Sequence, residues 1–366
     1  MKWNWEMAGW PNFRYEPERI SQLDRQFLLE AGGCIAYLKT IDDRDYKGFA
    51  VEMLSLEGAE SSKIEGEVLD RESLQSSIQQ HFGLHVAKTR VFDKESRMAA
   101  LLCDVYESFA EPLTHEMLWR WHAMLFDGLD LENLGTYRTH KEPMQIVSNR
   151  YGSRRVFFEA PPSKRLFSEM EAFIQWFNSK DQSQSILGRA SLAHVYFESI
   201  HPFEDGNGRI GRILVEKILS QEVGQPLLMA VSNVLEKKKK EYYLALENCN
   251  RTLDVQPWVD FFSRAILQAR EESMQLLFFI IQKSKMMHSL SGKINPRQTK
   301  VLLRMFKEGP SGFKGGLSAE NYIKIAKTTR STATRDLADL VEFGALTKMG
   351  SLRHTRYYLN LSNEIT

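Results

Sequence analysis

Between residues 189 and 219 two helix-forming runs flank a stretch that can fold in few ways. Leu192, Val195, Tyr196 and Ser199 recur at the i, i+3, i+4 spacing of an amphipathic helix. His201-Pro202 follows, and a proline disfavours helical geometry at the residue before it, which puts His201 at a helix end. Phe203 is the one large apolar side chain in the next stretch, suited to fix the loop in the core. Asp205-Gly206-Asn207-Gly208 then offers a carboxylate, an amide and two glycines, whose freedom lets successive N–H groups converge on an anion. The run Arg209–Leu219 reads as a helix that turns its own N-terminal amides to the same place.

These residue types in this order suit phosphate chemistry. Arg209 and Arg212, three apart, project from one side of the helix and make a polyphosphate clamp. Phosphoryl and nucleotidyl transfer need positioning, charge neutralisation and usually magnesium, which a lone carboxylate such as Asp205 commonly holds. An imidazole titrates near neutral pH, so His201 fits a general base on an incoming hydroxyl.

The twelve residues His201-Pro-Phe-Glu-Asp-Gly-Asn-Gly-Arg-Ile-Gly-Arg212 match H-x-F-x-[DE]-G-N-G-R-x-x-R at every fixed position. In this the chain resembles the Fic family. The resemblance implies a mostly helical fold and MgATP as co-substrate. It implies transfer of AMP to a Ser, Thr or Tyr hydroxyl of a target protein, with His201 as catalytic base and Asp205 as magnesium ligand. Gly206, Asn207, Gly208, Arg209 and Arg212 would bind phosphate, Asn207 at the α-phosphate and Arg209 at the β- and γ-phosphates. Doc-like phosphotransferase relatives carry lysine where Gly208 stands, so AMP transfer is expected over phosphate transfer.

Met144–Val147 and Arg155–Phe158 are short β-prone runs separated by Asn149-Arg-Tyr-Gly-Ser153, the pattern of a hairpin. It resembles the flap that aligns a target backbone by strand addition in this family, with Arg155, Val156 and Phe157 facing the target. Glu241–Glu247 is similar to the segment that walls the adenine pocket, and Tyr242 and Tyr243 are the candidates for contact with the base. The alternative for both tyrosines is core packing.

Ser61-Ser-Lys-Ile-Glu-Gly66 fits a second family pattern, [ST]-x-x-x-E-[GN], in which a glutamate reaches into the nucleotide site. Ser61, Glu65 and Gly66 are its fixed residues. Glu65 paired with Arg212 would occupy the arginine needed by the γ-phosphate and hold the site off. Alternatively, Glu65 would place a water that removes AMP from a modified protein.

Helical patterns dominate residues 1–290, and the expected architecture is mainly α in three parts. Residues 1–90 form an N-terminal helical domain with the inhibitory string, 91–290 the catalytic domain, and 291–366 a winged helix-turn-helix. The last rests on a helix at 297–307, a Gly-rich turn, a helix at 318–326, a helix from Thr332 opened by Ser331, and a hairpin over 345–359. Residues 293–360 hold 13 Lys/Arg against 5 Asp/Glu, a net +8 that leaves −7 for the rest of a chain whose total is +1. Such asymmetry suggests a polyanion partner for this end. The alternative function is therefore a DNA-binding regulator, with Arg330, Thr332, Thr334 and Arg335 on the recognition helix and Arg353 and Arg356 on the wing.

Cys34, Cys103 and Cys249 lie far apart, without zinc or disulfide spacing, and no apolar run approaches the roughly 20 residues of a membrane-spanning helix. A cytoplasmic setting with no membrane partner is expected, and the family resemblance adds a homodimer. Lys237–Lys240 points in all directions on a helix and reads as solvated, and His194 reads as core.

Overall fold

The computed structural model describes residues 2–84, 93–148, 155–179, 185–309 and 312–361. Among them are fourteen α-helices and two antiparallel hairpins, the mainly α architecture expected. The chain divides into two compact units, Met1–Ile41 with Ala50–Glu271 and Asp42–Phe49 with Glu272–Thr366. Most of the segment 1–90 thus shares one unit with residues 91–271.

In the first unit come α1 (Pro17–Leu38), most of α2 (Asp43–Ile64), α3 (Arg71–His81), α4 (Asp93–Glu107) and α5 (His115–Phe126). A hairpin follows, β1 (Gln145–Ser148) and β2 (Arg155–Glu159), then α6 (Leu166–Asn178), α7 (Ile186–Ile200) and α8 (Asn207–Val223). The unit closes with α9 (Val231–Lys237), α10 (Lys239–Cys249) and the start of α11 (Gln256–Ser289). The lysine run is therefore divided between two helices, with Lys238 at the break.

Helix α7 is the axis of this unit. Every residue but Ile186 and Glu198 is buried, the all-round apolar character of a central helix. Ser185 caps it by accepting from the Gly188 N–H. The N-terminal segment ahead of α1 packs beside it: Asn4 donates to Ser199 Oγ and to the Cys249 carbonyl, and the Trp10 ring meets Tyr196 edge to face.

The β1–β2 hairpin pairs Gln145 with Glu159 and Ser148 with Arg155, with a register shift between Ile146 and Val147. The turn expected at 149–153 lies outside the described residues. Phe158 points inward and packs against Trp3.

The second unit contains α12 (Pro296–Phe306), α13 (Ala319–Ala326), α14 (Arg330–Glu342), β3 (Leu346–Met349) and β4 (Arg356–Leu359), the element order of a winged helix-turn-helix. Asn295 caps α12 with a capping box to Gln298, and Pro296 takes the first helical position. Val301, Leu302, Leu317, Tyr322, Leu337 and Leu340 form its core. Helix α14 starts at Arg330 rather than Thr332, because Thr329 and not Ser331 supplies the capping oxygen to the Thr332 N–H. Among the described residues no helix is long and apolar enough to cross a membrane.

Candidate active site

His201 ends α7 in the left-handed conformation, φ 50° and ψ 60°, rather than in the extended one that a following proline favours. Phe203 is fully buried and stacks on His122 with ring centroids 4.3 Å apart. Asn207 clasps the turn: its Oδ1 accepts from the Phe203 N–H at 2.9 Å and its Nδ2 donates to the Phe203 carbonyl at 2.8 Å. Its amide is spent on the loop, so what Asn207 leaves for an anion is its backbone N–H in the first turn of α8.

The two glycines do different work. Gly206 has φ 82° and caps α8, and a Cβ there would lie 2.8 Å from the Phe126 ring. Gly208 lies inside the helix with no positive φ, so the expected conformational role is replaced by a steric one. A Cβ at Gly208 would overlap the Glu65 carboxylate and come within 3.1 Å of the Arg212 guanidinium. Helix α8 accordingly begins at Asn207, two residues before the expected Arg209, and runs to Val223, where Gly224 in the left-handed region ends it.

Two residues that sequence reasoning passed over hold the loop. Arg138, 2 % exposed, donates from Nε to the His201 carbonyl and from a terminal nitrogen to the Pro161 carbonyl, while its backbone N–H bonds Pro202. Burial pulls its pKa down to about 10. His122 accepts the Gly135 N–H on Nδ1, and burial pushes its pKa down to about 4, so it sits neutral beneath Phe203. No local pattern marks either: His122 is one polar residue in an apolar helix, and Arg138 is one of several polar residues in the run Thr136–Glu142.

Arg212 is 3 % exposed and its guanidinium donates to Ser61 Oγ and the Ser61 carbonyl, each at 2.9 Å, and to Glu65 Oε1 at 2.8 Å. Burial penalises its charge, but Glu65 and Tyr242 beside it raise its pKa above the ordinary arginine value. Arg209 lies over the Phe126 ring at 5.0 Å and donates to Glu67 Oε2 at 2.9 Å, with Asp205 Oδ1 at 3.7 Å. Glu67 lies outside the [ST]-x-x-x-E-[GN] pattern, and only the fold brings it to Arg209.

The end of α2 explains how one segment reaches both arginines. Gly66 adopts φ 88°, its N–H bonds the Lys63 carbonyl and the Glu67 N–H bonds the Ser62 carbonyl. This paired 5→2 and 6→1 pattern is a Schellman ending that needs glycine at its left-handed position. It brings Glu65 and Glu67, on either side of the glycine, to neighbouring arginines one helical turn apart on α8. Further up α2, buried Glu57 accepts from the Ser232 N–H and hydroxyl, and Lys63 pairs with Glu236 at 3.2 Å, both fastening α2 to α9.

Tyr242 is buried, with its hydroxyl 2.8 Å from His194 Nε2 and beside Arg212; Tyr243 is 42 % exposed and donates to the Ile64 carbonyl. Of the two, Tyr243 is the one open to a ligand. His194 is core, stacked on Trp258 and Phe262. On the hairpin, Arg155 stacks over Phe157 and pairs with Glu247 at 2.5 Å. The Phe157 and Glu159 carbonyls accept from Asn250 and Trp5 side chains, so at Phe157 the expected target-facing backbone is already engaged by the chain itself.

Asp205 projects its carboxylate to solvent, 61 % exposed, engaging only the Gly206 N–H besides Arg209. Among the described residues no three His, Cys, Asp or Glu are grouped to hold a metal. One outward carboxylate beside an anion site fits magnesium shared with nucleotide phosphates, which needs only one or two protein ligands.

The Fic/DOC family pattern matches residues 112–219, and that of a domain of unknown function, DUF4172, matches residues 3–84. The chain is a Fic/DOC family protein. It is 33% identical over 129 residues to "Protein adenylyltransferase Fic" of Nematostella vectensis, covering 34% of this chain and 28% of that protein. To "Protein adenylyltransferase fic-1" of Caenorhabditis elegans it is 22% identical over 225 residues, 61% of this chain and 40% of that one. The chain thus spans about a quarter to two fifths of the length of these curated relatives. A Fic family protein from Desulfovibrio desulfuricans G20 shares the fold over 97% of this chain and 99% of that one, with TM-score 0.54 at 21% identity. A Fic domain containing signaling protein from Bacteroides thetaiotaomicron covers 69% of this chain and 97% of its own, with TM-score 0.53 at 19% identity.

Proposed function

We propose that this Fic/DOC protein is a protein adenylyltransferase that transfers AMP from MgATP to a protein hydroxyl and is held off by its own residues 61–67. The observation that carries the reading is the convergence of His201, Asp205, Arg209 and Arg212 on one side of the α7–α8 junction, with Glu65 seated on Arg212. His201 accepts the proton of the attacking hydroxyl as its oxygen bonds the α-phosphorus and the bond to pyrophosphate breaks. Arg209, Arg212 and the first N–H groups of α8 hold the departing phosphates. Asp205 would hold magnesium, which supplies charge neutralisation to those phosphates. Tyr243 lines the nucleotide base, and the hairpin end at Arg155 and Val156 meets the target.

With Glu65 and Glu67 on the two arginines, both clamp cations are already paired against the β- and γ-phosphates. Glu65→Gly incubated with MgATP and followed by intact mass is expected to gain AMP on itself or an added protein, and Glu65→Gly with His201→Ala to gain none. Incorporation of phosphate instead of AMP would refute the reading. No gain at all in Glu65→Gly would remove the brake.

The basic winged helix supports a second activity, attachment to nucleic acid. Arg330, Ser331, Thr334 and Arg335 are exposed on the first turns of α14, while its one buried acid, Asp336, is neutralised by Arg297 at 2.9 Å. A gel shift that weakens steeply with salt would identify phosphate contacts.

A further inference from the structure

Glu198 lies on α7 three residues before His201, a full turn back on the same helix face. Its Oε2 is 3.6 Å from His201 Nδ1, and both side chains are 14 % exposed. Neither His201 Nδ1 nor Glu198 Oε1 has a hydrogen-bond partner. A buried carboxylate without partners is costly unless an adjoining cation or donor compensates it, and an imidazole N–H facing it is such a donor.

The surroundings are arranged to keep this carboxylate ionised. Burial alone would raise its pKa, but His201, His194 and Arg212 together hold it below the ordinary glutamate value. Burial pulls the His194 pKa down, and its Nε2 faces the Tyr242 hydroxyl. Arg212 therefore carries the permanent positive charge, shared between Glu198 and the removable Glu65. Gly211 completes the pocket: a Cβ there would come within 2.8 Å of Glu198 Oε1 and 3.1 Å of His194. This is a steric reason for the glycine between the two clamp arginines.

We infer that Glu198 is the positioning residue for His201, accepting its Nδ1–H and so leaving the Nε2 lone pair for the hydroxyl proton, in a pocket kept open by Gly211. The inference rests on the transferase reading for its consequence but not for its geometry. At 3.6 Å the pair is longer than a hydrogen bond, and the positioning role requires it to close by under an ångström when the site is filled, as hydrogen bonds to catalytic imidazoles commonly do. The arrangement assigns the two ring nitrogens opposite tasks through the partner of one of them.

The test is the tautomer of His201, read by long-range proton–nitrogen spectra of the full-length Glu65→Gly protein with labelled histidine, its signals assigned by loss in His201→Ala. Nδ1–H is expected in the Glu65→Gly parent. Glu198→Ala and Gly211→Ala are expected to shift the population to Nε2–H, and the isosteric Glu198→Gln to shift it in part while keeping the fold. In the transfer assay Glu198→Gln should lower kcat on the order of 10²-fold with KM for ATP unchanged. An unchanged tautomer in both Glu198→Gln and Gly211→Ala overturns the inference, as does a fall confined to KM. If the parent transfers no AMP while the tautomer still follows Glu198, the transferase reading fails and the positioning role stands.

Discussion

The two arginines of the clamp stand three residues apart on one helix and meet glutamates from one turn, yet their surroundings differ. Arg212 is sealed, its side chain 1% exposed, with three oxygens of residues 61–65 on its Nε and one terminal nitrogen. Arg209 lies against an aromatic face and meets a glutamate 36% exposed to water. Distance does not separate them, since both ion pairs are within 2.9 Å, and Glu65 is 30% exposed against 36% for Glu67. The arginine side chains differ, 1% exposed against 8%, and Arg212 is bonded to Ser61 as well. A buried charge that loses its partner costs several kcal/mol, whereas an exposed pair contributes little and is screened by salt. A nucleotide must therefore replace Glu65 in kind at Arg212, but needs only to brush Glu67 aside at Arg209.

The largest expected effect follows from leaving Arg212 alone. Glu65→Gly without nucleotide should lose roughly 3 kcal/mol of stability, the low end of the cost of breaking a buried pair, because Ser61 and Glu198 still face Arg212. Calorimetric melting should show this as a Tm several degrees lower, recovered when MgATP is added, and MgATP affinity should rise on the order of 10²-fold. An unchanged melt would make the buried contact no different from the exposed one.

Acid should act on both arginines together, through the loop that carries them. His122 has its pKa depressed from 6.5 to about 4 by burial, so above pH 6.5 it contributes fully. As pH falls below 6.5 the unfolded chain takes the proton first, and stability drains away until about pH 4, by up to about 3 kcal/mol. His194, buried and depressed likewise, adds in the same direction. Melting temperatures measured from pH 8 to 4 should be level at first and then fall, with a shallower fall in His122→Gln.

The smallest effect belongs to Glu67→Ala. Nucleotide affinity in low salt should rise by no more than about fivefold, and the gain should vanish near half-molar salt. A gain equal to that of Glu65→Gly would erase the distinction between the two contacts.

What could be read from the chain was what is local. The helix end at His201, the cap at Gly206, the arginine pair and the inhibitory string are each set by neighbours within a turn or two. Arg138 and Glu67 depend on partners far along the chain, to which no periodicity points. Gly208 was legible as a glycine but not for its reason, because the atom that excludes a side chain there belongs to Glu65. At α14 two hydroxyl residues competed for the cap, and the one at Thr329 won.

The Schellman ending at Gly66 gives the inhibitory segment the mechanics of a latch. Ser61, Glu65 and Glu67 all hang from the last turn of α2 and the residues just past it, where helices fray most readily. Unwinding that one turn, a travel of about 5.4 Å along the axis, withdraws every oxygen that α2 offers to either arginine. Release then asks for no displacement of the helix as a whole, and whatever grips the exposed side of residues 65–67 holds the handle.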